Sequence, residues 1–246
     1  PFGAMPRIDY ICANGLFRRH LGNIAQLESG RIFCRHGIDH LLDVARIMWI
    51  KNLEEKLEFD REVIYATALL HDIGKPLAKT TDDNGVDHFK GHQKISADLA
   101  APILKRFKIS NELYDRVMLI IPIHDIHIGT TKKNIKKWLN RLGEQGVRDL
   151  IEVKRADKLG QNPKMTGDEL QNLVTTESLL DEIIANAEPY SVKDLKINGF
   201  DLINLGFKGK EIGNILSAVL EMVIDGKLEN EKDILLKYAK EKGELN

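Results

Sequence analysis

The stretch ATALLHDIGKP, residues 66–76, runs an apolar segment straight into a histidine and an aspartate. Ala66, Ala68, Leu69 and Leu70 suit the end of a buried helix, and His71 and Asp72 follow at once. A carboxylate at a buried helix end is costly unless it is paired, hydrogen-bonded or bound to a metal. Gly74 and Pro76 then terminate the segment, with Lys75 between them. The dipeptide alone is weak evidence, because a second one occurs at His124-Asp125 among only eight histidines. It either caps neighbouring helices or holds an ion, and its surroundings must decide.

Those surroundings are helical almost throughout. HLLDVARIMWIKNLEEKLEF (40–59) sets Leu41, Val44, Ile47, Met48 and Leu53 on one stripe. REVIYATALL (61–70) is nearly all apolar and predicts a helix buried in the middle of the fold. ISADLAAPILKRF (95–107) and NELYDRVMLIIPI (111–123) follow, the second with Ser110 as N-cap and Pro122 ending it before His124. NIKKWLNRL (134–142) and VRDLIEVKRADKL (147–159) come next. KPLAKTTDDNGVDHFKGH (75–92) is polar, with a turn signal at Asn84-Gly85, and reads as a loop with room for a short hairpin. TGDE (166–169) predicts a capping box, Thr166 to Glu169, opening a helix to about Ala187. IGNILSAVLEMVIDG (212–226) is amphipathic and closes on Gly226.

The composition is that of an ordinary globular protein, 43 % hydrophobic and 30 % charged. A net charge of -1 provides no global basic field, so DNA is not an expected partner. No apolar run approaches the roughly 20 residues that cross a bilayer, so no membrane partner is expected. Cys12 and Cys34 form neither a disulfide framework nor a zinc knuckle, which suits the cytoplasm. PFGA before Met5 reads as a cloning remnant, placing the native start at Met5.

His40, His71, His92, His124 and Asp157 each sit on or at the edge of a helix expected to join the same bundle. Inward side chains from different helices build metal sites in bundles. Imidazoles with carboxylates suit one or two divalent ions, Mn, Fe, Co or Ni, or Mg where oxygen dominates. An aspartate beside a ligating histidine can reach two ions, and such a pair activates water for phosphoryl displacement. His36, His88 and His127 lie three or four residues from His40, His92 and His124. Each reads as an ordinary half-buried histidine, an alternative ligand, or a partner of ligand or substrate. His20 falls outside the cluster.

The ordered set His40, His71-Asp72, His92, His124, Asp157, with HLLDVARI and ALLHDIGK, resembles the HD superfamily of metal-dependent phosphohydrolases over about residues 30–160. Val44, four positions after His40, fits the same pattern. The resemblance implies an all-α HD-domain bundle over residues 5–160 with its core at 30–160. It implies metal ligation by His40, His71, Asp72, His92, His124 and Asp157, with Asp72 and Lys75 catalytic.

Residues 161–246 read as a helical linker and a smaller helical tail. The pattern of INGFDLINLGFKGKEIGNILSAVLEMVIDG (197–226), with VKRADKLGQNP (153–163) before it, is similar to bacterial tRNA nucleotidyltransferases. Residues 1–35 are too short for the catalytic head of those enzymes, and its Gly-Ser and D-x-D motifs do not occur, so CCA addition by this chain alone is not expected. Lys132, Lys133, Lys136, Lys137 and Arg141 cluster beside Trp138, a pattern that reads either as a phosphate or RNA contact or as a solvated helix face. In FKGKEIG (207–213), Gly209 and a helix start read as a phosphate seat or, more simply, a turn.

Two functions compete. One is a metal-dependent phosphohydrolase acting on nucleotides, small phosphoesters or RNA-terminal phosphates, with tRNA among the candidate partners. The other is a catalytically silent HD-fold module that binds RNA or a nucleotide. Gly74-Lys75-Pro76 stand where guanosine tetraphosphate hydrolases carry an ED signature, and no GYP follows as in cyclic dinucleotide phosphodiesterases. Nucleoside triphosphate hydrolysis stays open.

Overall fold

The computed structural model describes residues 5–28, 37–54, 56, 61–106, 110–161 and 163–243, without the side chains of residues 113 and 163–165. The described chain is all-α apart from one two-stranded hairpin. It divides into two compact units, Pro1–His127 with Arg148–Gln171, and Ile128–Val147 with Asn172–Asn246. No helix among the described residues is long and apolar enough to cross a membrane.

The first unit begins with α1 (Pro6–Ala13) and α2 (Gly15–Leu27), the latter capped by Asn14, whose side chain accepts from the amides of Leu16 and Phe17. α3 (Ile38–Glu54) packs along α4 (Arg61–Leu70), the central helix. Every residue from Ile64 to Leu70 is buried, as the apolar run predicts. In α3 the buried stripe is Leu41, Val44, Ala45, Met48 and Asn52, while Leu53 is 59 % exposed, contrary to its expected place on the stripe. At 3.6 residues per turn Asn52 returns to the phase of Leu41, and Leu53 lies about 100° further round.

A tight turn after α4 leads into α5 (Lys75–Ala78), then β1 (Thr80–Thr81) and β2 (Asp87–His88), which pair antiparallel as the expected short hairpin. α6 (His92–Arg106) and α7 (Asn111–Ile120) follow. A 3-10 turn at Ile121–Ile123 ends α7 at Pro122, as expected.

α8 (Lys132–Leu159) joins the two segments read separately from the sequence; Gly143, at φ 70° and ψ 173°, breaks it between them. α9 (Pro163–Ala185) starts before the expected capping box, so Thr166 lies inside the helix rather than capping it. Proline suits a first helical turn, which moves the start to Pro163. Glu169 serves instead as the ion-pair partner of Lys158, at 2.7 Å.

In the second unit α10 (Gly199–Asn204), α11 (Lys210–Ile224) and α12 (Lys232–Gly243) enclose their own core of Leu202, Ile215, Val219, Leu220 and Leu235. Gly226, at φ 70°, closes α11 with the expected left-handed cap.

Gly74 fixes how closely the α4–α5 turn meets α6. Its amide donates to Ser96 Oγ at 2.9 Å, and a Cβ placed on it would lie 2.5 Å from the Ser96 nitrogen and 2.7 Å from the His92 carbonyl oxygen. Both are backbone atoms, so the contact cannot be relieved by a side-chain rotation. Gly74→Ala is therefore expected to destabilise the fold by about 1–3 kcal/mol, the usual cost of overpacking, measured by urea denaturation.

Candidate metal centre

Five elements of the first unit each deliver a titratable side chain to one region. His40 comes from the first turn of α3, and His71 and Asp72 from the turn after α4. His92 is the first residue of α6, His124 follows the 3-10 turn, and Asp157 lies in the last turn of α8. His71 is 0 % exposed and Asp72 1 %.

The side chains converge as two groups that share Asp72. Ligand atoms of His40, His71, Asp72 and Asp157 all lie within 4.8 Å of one another, as do those of Asp72, His92 and His124. In the first group His40 Nε2 lies 3.3 Å and His71 Nε2 3.7 Å from Asp157 Oδ1, and His71 Nε2 is 3.2 Å from Asp72 Oδ2. In the second, His92 Nε2 and His124 Nε2 lie 3.2 and 3.6 Å from Asp72 Oδ1, and 3.3 Å from each other. The two oxygens of Asp72 thus face different groups.

What stands behind the rings decides how they present themselves. His40 Nδ1 donates to the Gly160 carbonyl at 3.3 Å and His71 Nδ1 to Ala68 at 2.8 Å. His92 Nδ1 donates to Phe89 at 2.8 Å and His124 Nδ1 to Ile121 at 2.7 Å. A carbonyl can only accept, so the proton of each neutral imidazole sits on Nδ1 and the Nε2 lone pair points into the cluster.

This donor set fits a divalent ion. His71 Nε2 and Asp157 Oδ1 are buried and make no hydrogen bond, an arrangement an ion would satisfy. Two ligands each about 2.1 Å from one ion lie about 3–4 Å apart, as the pairs just named do. Gln161 steadies the other oxygen of Asp157, donating from Nε2 to Oδ2 at 2.8 Å.

The electrostatics are those of opposite charges held close together in a buried cluster. Burial alone lowers the pKa of His71, but Asp72 and Asp157 outweigh it and raise it to about 10. Burial raises Asp72 and Asp157; the facing His71 and Lys75 override it at Asp72, and the His40 and His71 rings beside Asp157 override it there, so both stay well below the usual carboxylate range. Burial keeps His124 low despite the Asp72 carboxylate beside it.

A cleft of about 550 Å³ opens over the cluster, with Lys75, His88, Phe89, Lys90, Gln93 and Lys158 among the residues that line it. Lys75 Nζ sits 2.6 Å from Asp72 Oδ2. His88 is on the cleft wall, 2.9 Å from Asp82, outside both groups. His127 is exposed and also outside them. His36 lies outside the described residues, and His20 is buried away from both groups.

Lys132, Lys133, Lys136 and Lys137 belong to the second unit, where each meets a carboxylate. Lys132 and Lys136 pair with Glu188 at 2.6 and 2.8 Å, and Lys133 and Lys137 with Asp225 at 2.9 and 3.6 Å. Arg141 stands 5.3 Å over the Trp138 ring.

Gly160, Gln161 and Phe89 support the site without being conspicuous in the sequence. A Cβ at Gly160 would come within 3.2 Å of the His40 ring, so glycine there leaves room for the imidazole. In sequence it looks like a helix-ending glycine and nothing more.

Among known families, the HD domain matches residues 37–162. The chain belongs to the HD-domain family. The matched span contains all six converging residues. An uncharacterized protein of Clostridium beijerinckii is 41 % identical over 95 residues, covering 39 % of this chain and 59 % of that protein. A CC-adding tRNA nucleotidyltransferase of Thermus thermophilus is 23 % identical over 225 residues, covering 89 % of this chain and 48 % of the enzyme. A CCA-adding enzyme of Limosilactobacillus fermentum is 32 % identical over 143 residues, covering 57 % of this chain and 31 % of the enzyme. This HD-domain chain thus spans about half or less of the length of the tRNA enzymes it matches. No solved structure matches significantly.

The raised pKa of His71 makes a signed prediction for the metal-free protein. Its unfolded value is near 6.5, so the stabilisation is complete below that pH and is lost as pH rises toward 10. Thermal unfolding in chelator should show Tm of the wild type falling across pH 6.5–10, with a flatter profile for His71→Asn. Mn²⁺ competes for the same nitrogen, so its binding at pH 8 should release protons, read by calorimetry in buffers of different ionisation enthalpy.

Proposed function

We propose that this HD domain is a metal-dependent phosphohydrolase acting on nucleotides, small phosphoesters or RNA-terminal phosphates. The observation that carries the reading is the convergence of four Nε2 lone pairs and two carboxylates, shared through Asp72, beneath an open cleft. His40, His71, Asp72 and Asp157 would hold one ion, and Asp72, His92 and His124 a second. Mn, Fe, Co or Ni suit the nitrogen-rich donor set, and Mg its oxygen-rich side. When bound, such ions supply a water of lowered pKa and positive charge for a phosphoryl group. Asp72 is the shared ligand, and Lys75, at the cleft wall beside it, neutralises charge that develops on the phosphoryl oxygens. His88 is a substrate contact at the wall, His127 stays a peripheral candidate, and His36 stays a candidate outside the described residues.

The tRNA enzymes among the relatives support RNA, tRNA included, as a partner, with residues 161–246 as linker and tail and the cytoplasm as the place of action. Contact through Lys132, Lys133, Lys136 and Lys137 would have to compete with Glu188 and Asp225. One observation favours the silent binding module instead: Lys75 balances Asp72 at 2.6 Å with no ion needed.

A panel of 2′,3′-cyclic nucleotides, 2′- and 3′-nucleotides, p-nitrophenyl phosphate and deoxynucleoside triphosphates, with each metal in turn, separates the readings. Metal-dependent turnover is expected, lost by more than about a hundredfold in Asp72→Ala, since even indirect supports of a metal ligand cost about 10- to 100-fold. No turnover of any phosphoester, or equal turnover by Asp72→Ala, leaves only the binding module.

A further inference from the structure

The cleft above the two histidine groups is larger than a phosphate requires. At about 550 Å³ it falls in the range of roughly 300–1,000 Å³ that takes up whole small-molecule ligands. Its described lining is charged, amide, imidazole or glycine with one exception, the half-buried Phe89. The one hydrocarbon ring in an otherwise polar cleft offers a surface on which a flat heterocycle would be recognised, because every nucleobase has a π-face.

The position of Phe89 is tied to the metal-facing residues. Its carbonyl accepts from His92 Nδ1 at 2.8 Å, and Gly91, at φ 80°, turns the chain between the two. The hairpin before it is braced: Asp87 meets Lys79 and Thr81, each at 2.8 Å, and His88 meets Asp82 at 2.9 Å. Phe89 therefore stands at a set offset from the ions' donors. The amide of Gln93 is engaged with Asp125 at 3.2 Å, which favours stacking over base-specific hydrogen bonding.

Resting on the phosphohydrolase reading, we propose that Phe89 is the specificity-determining residue that stacks the base of a single nucleotide unit. The phosphate of that nucleotide lies over Asp72 and Lys75. The substrate class is then a nucleoside phosphate, or the terminal nucleotide of a strand, with little preference among bases.

Equilibrium dialysis of the full chain in Mn²⁺ tests this with adenosine 2′-, 3′- and 5′-monophosphates, cytidine monophosphates and inorganic phosphate. Phe89→Ala should weaken nucleotide binding roughly 5- to 100-fold, the range of one base–aromatic stack. Its affinity for Mn²⁺ and for inorganic phosphate should match the wild type, because the backbone carbonyl that orients His92 is kept. Phe89→Trp should restore nucleotide binding. The proposal is overturned if wild type binds no nucleotide, if Phe89→Ala binds nucleotide like wild type, if it loses nucleotide and phosphate equally, or if Phe89→Trp does not restore binding. Failure of the hydrolase reading looks different: no phosphoester is turned over, while nucleotide binding and its dependence on Phe89 persist.

Discussion

A carboxylate that is 1 % exposed at the end of an apolar helix costs a protein about 3–5 kcal/mol if left uncompensated, and Asp72 is such a group. Its compensation organises the first unit. One oxygen faces His71 and Lys75, and the other faces His92 and His124. Those residues come from the end of α4, from α5, from the first turn of α6 and from the turn after α7, so satisfying one carboxylate requires four chain segments to meet. Asp157 repeats the arrangement at the far side with His40 and His71.

The fold supplies rigidity for that meeting in two ways. α4 is buried from Ile64 to its end at Leu70, so the turn after it cannot shift without opening the core. Gly74 then lets that turn approach α6 backbone to backbone, and the Ser96 hydroxyl takes its amide. Behind the rings four carbonyls hold four Nδ1 protons, so the cluster's donors are oriented before any ion arrives. Preorganisation of this kind lowers the cost of binding but leaves open competition, because the proton on His71 and the ammonium of Lys75 occupy the same negative field.

The six converging residues were legible mainly through their order, His40, His71-Asp72, His92, His124 and Asp157, which resembles the HD superfamily; a histidine and an aspartate ending an apolar helix only drew the eye to the second and third of them. The helices were legible from their own pattern, since α4 is nearly all apolar and Pro122 has few places to go. Phase errors arose where the pattern is loose. Leu53 is apolar yet points outward, while Asn52 takes the buried position. Thr166 and Glu169 have capping-box spacing, but the helix had already begun at Pro163. The ion pairs of Lys132, Lys133, Lys136 and Lys137 were illegible, because Glu188 and Asp225 are remote in the chain. Nor could spacing reveal Phe89 and Gly160, whose roles rest on a backbone carbonyl and a missing Cβ.

The phosphohydrolase reading stands or falls on Asp72 as a ligand of at least one ion. Anomalous X-ray diffraction from crystals grown in Mn²⁺ addresses it directly. The account predicts ion density at bonding distance, about 2.0–2.3 Å, from an Asp72 oxygen. His71 and Asp157 should complete that position on one side, or His92 and His124 on the other. Saturating Mn²⁺ with no density at Asp72, or ions bound only elsewhere on the chain, would contradict it.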